Sequence, residues 1–227
     1  MKKVLSLLLL LPFCFGGCGF ESGAPAGAKT PETFAEFAEV FNRYGIQGAS
    51  PQLTEELEQS FSDLPPEVLL SKGAALLTAL GEGGYDADAM AWAPSQNGVY
   101  AFDMEVSDVG GMYARFLAGV SALAPDELAF ENIREDTSKV DWENGTGKRT
   151  VTFEWQGEEF TLEAEMQSDW FDLRAANQLN KIIRRHTSGK QLFFTGDGYQ
   201  ECIVFYRDKE WADAFEAETG LELVESF

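Results

Sequence analysis

A thiol-dependent hydrolase needs a cysteine whose pKa is lowered by a nearby imidazole, in an accessible cleft. This chain offers Cys202 and a single histidine, His186. Cys202 lies inside the apolar run Cys202-Ile203-Val204-Phe205-Tyr206, where a thiol behaves as a small hydrophobe. His186 extends the apolar stripe of a helix expected from Ser168 or Asp169 to His186, and falls in its last turn. There an imidazole packs, bonds a free carbonyl or, when protonated, gains from the helix dipole. Both residues therefore read as structural, and one histidine cannot build a multi-histidine metal site.

Carboxylates are abundant, 38 in all, so an acid pair chosen by eye for glycoside cleavage means little. Asp86 and Asp88, Asp141 with Glu143 and Asn144, and the Gly196-Asp197-Gly198 turn are the calcium candidates. None has the twelve-residue loop spacing that gathers enough oxygens, and Asp, Asn and Gly are what turns require anyway. Gly-x-Ser-x-Gly, His-Glu-x-x-His, phosphate-loop and dinucleotide signatures are missing from the sequence. The expectation is a protein without catalytic groups, metal or cofactor.

Two features could serve contact. Arg174, Lys181, Arg184 and Arg185 fall on the side of the 169–186 helix opposite its apolar stripe, a solvated basic face or a contact for an anion or partner. Trp142 and Trp170 fall off the regular apolar patterns and are candidates for sugar platforms or interface anchors.

What must position these groups can be read from spacing. Residues 151–155 and 160–166 alternate strictly between apolar and polar, and Gln156-Gly157 separates them, which predicts an antiparallel hairpin with one face on a core. In the helix that follows, Phe171, Ala175, Ala176, Leu179, Ile182 and Ile183 share one stripe. Residues 191–194 and 202–206 are apolar on both faces, as central strands are. Earlier, Thr30-Pro31, Ser50-Pro51 and Pro65-Pro66 open three amphipathic helices, the first and third closing at Gly45 and Gly81. Residues 99–106 alternate as a strand, Gly110-Gly111 leads into a helix stopped by Pro125, and strands are expected at 128–134 and 139–142. Asp208 caps a last helix that closes at Gly220 before a short strand at 221–224. The unit strand-helix-strand-strand occurs twice, around the helices near 112 and 170. The fold class is α+β: an antiparallel sheet with helices mainly on one face, preceded by an N-terminal helical segment.

The N-terminus supplies the clearest signal. Met1-Lys2-Lys3 and the apolar residues 4–15 form a basic n-region and an h-region too short to span a bilayer, the pattern of an export signal. Phe15-Gly16-Gly17-Cys18 resembles the lipobox of bacterial lipoproteins, with Phe15 where that family has Leu, Val or Ile. The resemblance implies cleavage before Cys18 and a lipid on its thiol. Residues 19–29 then read as a flexible tether. The expected divisions are 1–17 signal, 18–29 tether, 30–82 helical segment and 83–227 α+β domain, with 30–227 one compact unit. Cys14 leaves with the signal and Cys18 is lipidated, so Cys202 has no disulfide partner.

Loss of the signal removes two lysines and leaves 38 acidic against 15 basic side chains, a net charge of −23. Such a surface repels phosphate backbones, so nucleic acid is excluded as a partner. The expectation is a lipid-anchored extracytoplasmic protein, or a secreted one if the signal is cleaved in the ordinary way. It acts as a non-catalytic module for a protein or glycan. The alternatives are a secreted hydrolase using carboxylates and an immunity or inhibitor lipoprotein that binds a basic protein.

Overall fold

A computed structural model describes residues 30–65, 70–88, 90–106 and 109–227. The expected export signal, Cys18 and the expected tether lie outside the described residues. The order is α1 (Phe34–Arg43), α2 (Pro51–Ser62), α3 (Lys72–Gly81), β1 (Gly84–Asp86), β2 (Ala91–Ala93), β3 (Tyr100–Asp103), α4 (Met112–Ala122), β4 (Glu131–Asp141), β5 (Thr146–Trp155), β6 (Glu158–Glu165), α5 (Leu173–His186), β7 (Lys190–Gly196), β8 (Glu201–Asp208) and α6 (Lys209–Thr219). Among the described residues no helix is long and apolar enough to cross a membrane.

Helix starts follow capping chemistry. Thr33 and Glu36 form a capping box on α1, and Ser50, Ser71, Asp172 and Asp208 each accept a backbone N–H at the head of α2, α3, α5 and α6. Because α4 begins at Gly111, which has no side chain, its cap comes from another element: Glu135 Oε1 on β4 accepts from Ala114 N at 2.7 Å. Gly220 ends α6 in the left-handed conformation.

The strands form three antiparallel sheets, β1-β2, β3-β8-β7 and β4-β5-β6. Each central-sheet strand is apolar on both sides, so both faces are covered. Ala101, Phe193, Ile203 and Phe205 meet a core built with α1, α3 and α6. Tyr100, Leu192, Phe194, Val204 and Tyr206 meet a second core built with α4, α5 and the inner face of β4-β5-β6. The α+β class with antiparallel sheets holds. Three sheets stand in place of the single one expected, however, and the helices divide between the two faces of the central sheet. The cause lies in β7 and β8, which alternate between two different apolar environments and so demand a layer on each side.

The strand-helix-strand-strand unit does recur in the topology. In β3-α4-β4-β5 and β6-α5-β7-β8, the leading strand of each unit pairs with the last strand of the other, giving β3-β8-β7 and β6-β5-β4. The segments after the two leading strands cross antiparallel: Phe171 N donates to Met104 O at 2.8 Å and Val106 N to Asp169 O at 2.9 Å.

Several boundaries differ from the sequence reading. The strands expected at 128–134 and 139–142 are one bulged strand, β4. β3 stops at Asp103, and residues 221–224 contribute a single bridge, Phe194 with Val224. Trp170 and Phe171 precede α5, because Asp172 rather than Ser168 or Asp169 makes the cap; Ser168 has a positive φ of 59°. The Gln156-Gly157 turn is as expected, with φ of 53° and 81° at its two residues, the type I′ geometry.

Helix α5 closes both sheet edges beside it. Gln178 on its flank accepts from Glu163 N at 2.9 Å and donates to Glu163 O at 2.7 Å, acting as a strand partner for β6. Asn180 does the same for Leu192 of β7. Unpaired backbone groups along a covered edge are costly, and these two amides satisfy them.

Candidate functional site

At the C-terminal end of α5 three segments leave a cavity of about 580 Å³. Its walls are the loop after α4 with the first residue of β4 (Asp126, Glu127, Ala129, then Glu131), the end of β5 with its turn (Glu154, Trp155, Gln156, Gly157) and the end of α5 (His186, Thr187, Ser188). The loop is anchored from beneath: buried Trp155 donates from its indole to Glu127 O at 2.9 Å. Glu127 itself is tied down, since Oε1 accepts from Lys190 Nζ at 2.6 Å and Oε2 from the Tyr206 hydroxyl at 3.0 Å. The Lys190 hydrogen bond holds this carboxyl below the usual range. The carboxylates of Asp126, Glu131 and Glu154 make no hydrogen bond or ion pair with the described residues.

His186 stands at one side. Its Nδ1 lies 2.9 Å from Ile182 O, which can only accept, so Nδ1 carries a proton. The ring packs edge-on against Phe160, centroids 5.0 Å apart, and beside Trp155 at 5.6 Å. Nε2 faces the Glu158 carboxylate at 3.6 Å. The position in the last turn follows the sequence reading; the acceptor, however, is the carbonyl one turn back inside the helix rather than a free one at its end, and the carboxylate facing the ring comes from β6.

Charge near the mouth is concentrated by strand register. Glu131 on β4 is the Cα partner of Glu154 on β5, and Glu154 is also the partner of Glu159 on β6. Three glutamates thus form a row across the solvent-facing side of the sheet. No group of three acidic, histidine or cysteine side chains among the described residues is close enough to hold a metal ion. The negative charge is spread out, which suits an extended organic cation better than a point charge.

The other candidates separate. Trp142 and Trp170 are exposed at the opposite end of α5 from His186, and a helix of 14 residues is about 20 Å long. They do not share the cavity. Trp142 instead lies over the buried guanidinium of Arg149, 5.3 Å from the ring centroid, with Tyr113 at 5.6 Å. Of the basic face, Arg174 is held by Asp172 through three hydrogen bonds of 2.8 to 3.2 Å and Arg184 reaches Glu225 at 3.4 Å. Lys181 and Arg185 are exposed. Half of that face is already neutralised within the chain.

Cys202 is buried, and burial pushes its thiol up, away from the reactive thiolate. The calcium candidates are turns: Asp86 accepts from Asp88 N, Asp141 from the N–H groups of Glu143 and Asn144, and Asp197 from those of Tyr199 and Glu201.

One acidic pair escaped the sequence reading. Glu201 at the head of β8 is in register with Asp103 at the end of β3. Burial, with the charges of Glu82, Asp103 and Asp197, pushes the Glu201 carboxyl up to about 8; burial also raises Asp103. Glu201 Oε2 is buried without a hydrogen bond to a described residue. The pairing of two distant strands put these acids together, and no local pattern announces it. No protein-family model matches this chain, and neither the curated proteins nor the solved structures include one similar to it.

Proposed function

We propose that this chain is a lipoprotein tethered through Cys18 to the extracytoplasmic side of a membrane, and that its α+β domain is a non-catalytic binding module. The cavity at the end of α5 is its ligand site, and the ligand presents a cationic group. The observation that carries this reading is the lining itself: carboxylates from a loop and two strands converge on a concave, Trp-floored space, and among the described residues only Glu127 has its charge answered. Electrostatic complementarity then selects a cation and repels anionic lipid and nucleic acid. The inert settings of Cys202 and His186 support a role without chemistry.

Calorimetry with spermidine as the probe tests the site. Binding is expected that weakens with added salt, weakens again in Asp126→Asn and is lost in Ala129→Trp, whose indole fills the cavity. Wild-type protein that takes up no heat with spermidine sinks the reading. The anchor has its own test. A clickable fatty acid should label wild-type cells and not Cys18→Ala cells; absence of label in the wild type ends the lipoprotein claim.

Asp103 and Glu201 favour a second reading, a hydrolase using carboxylates. One acid is held protonated near neutral pH beside another, the arrangement general acid-base chemistry requires. Turnover of a wall glycan that disappears in both Asp103→Asn and Glu201→Gln would replace the binding module with this enzyme.

A further inference from the structure

No described element covers the solvent-facing side of β4-β5-β6, since α4 and α5 pack on the opposite, apolar face. Its residues form rows fixed by register: Glu131, Glu154 and Glu159, then Arg134, Thr152 and Thr161, then Asp136, Thr150 and Glu163, then Lys139, Lys148 and Glu165. The first row borders the cavity. Like charges directly opposite in an antiparallel pair destabilise it, and here two such pairs share Glu154. Arg134, one step along, makes no ion pair with a described residue. Lys148 is drawn to Glu165 at the far end, 3.5 Å away. The fold therefore carries an uncompensated charge ladder where a lysine in any of the three positions would have helped its own stability. Local rules are broken in this way where a site needs them broken.

We propose that this sheet face, from the glutamate row to the lip of the cavity, docks a lysine- or arginine-rich segment of another protein. The inference rests on the cationic-ligand reading above and names the partner. Charge complementarity identifies it. The row is two strand spacings wide, roughly 10 Å, so a single small ion cannot neutralise it, whereas an extended chain with basic side chains on one face meets all three carboxylates and sends a terminal ammonium into the cavity. Thr152 and Thr161 in the next row supply neutral hydrogen-bonding groups beneath the same chain, and Arg134 at the end of that row favours a segment whose basic side chains lie over the glutamates.

The test uses the full chain and a synthetic peptide of alternating Lys and Thr, followed by fluorescence anisotropy at two salt concentrations. Wild type is expected to bind, more weakly at high salt. The triple variant Glu131→Gln, Glu154→Gln, Glu159→Gln should lose binding by roughly tenfold or more, whereas the triple Glu→Asp variant should keep it. Removing like charges should also raise the melting temperature of the Gln variant, so lost binding there is not lost folding. Peptide binding that is equal in wild type and the Gln variant, or absent from both, overturns the proposal. Spermidine uptake in the cavity together with no peptide binding removes the docking surface and leaves the cavity reading standing. Failure of both probes removes both.

Discussion

The side-chain amide of Asn180 bonds both backbone groups of Leu192: Oδ1 accepts from Leu192 N at 2.7 Å, and Nδ2 donates to Leu192 O at 2.8 Å. Nδ2 also donates to Glu225 O at 2.9 Å. A buried asparagine in mid-helix thus joins α5, β7 and the C-terminal segment. Asn180→Leu keeps the volume but strands three backbone groups, at a cost of roughly 3 kcal/mol. A urea titration should register the loss as a lower midpoint with an unchanged slope.

Arg149 is the largest polar side chain in the core. Its guanidinium donates to Val109 O and lies 3.5 Å from Glu135 Oε2, the carboxylate whose other oxygen caps α4. Nε and Nη1 make no hydrogen bond with a described residue. Removing one partner leaves a buried charge, so Arg149→Met should cost about 3 to 5 kcal/mol. Adding Glu135→Leu should recover most of that, less about 1 kcal/mol for the lost cap. If the double variant is no more stable than Arg149→Met, the pair is not the reason for the loss.

Glu201 sets a pH dependence. Its folded-state carboxyl stands near 8 against an ordinary 4.5, so the folded chain binds the extra proton between those values. The stability it contributes is fully present below the ordinary carboxylate range and is lost as pH rises to and through about 8. Glu201→Gln should flatten that decline and leave the variant more stable at pH 8, by about 1 kcal/mol once the group's partial solvation is allowed for. Melting curves at pH 5 and pH 8 check it; equal wild-type and variant profiles would refute it.

Gly119 faces the ring of Tyr100, and a methyl group at that position would run into it. Both residues are buried. Gly119→Ala should cost about 2 kcal/mol by overpacking, and Tyr100→Leu in the same chain should return part of it. Thermal denaturation of the three variants measures the coupling.

Much of the fold was legible because it is locally determined. Apolar spacing located α1, α2, α4, α5 and α6, Ser50 and Asp208 marked the starts of α2 and α6, and the two-residue Gln156-Gly157 turn places Glu154 opposite Glu159. The third glutamate of the row was beyond reach, because two irregularities in β4 shift its pairing and a bulge leaves no trace in periodicity. Trp142 and Trp170, the aromatic contact candidates, lie at the opposite end of α5 from His186 and the cavity, a separation that spacing along the chain does not reveal. Types and spacing by themselves determined an acidic protein and an α+β class. Tertiary structure alone decided that the helices sit on both faces of the central sheet, that Glu201 meets Asp103, and that carboxylates from a loop and two strands converge beside His186. Those contacts join residues far apart in the chain, and strand pairing between distant segments is set by the global core rather than by any local pattern.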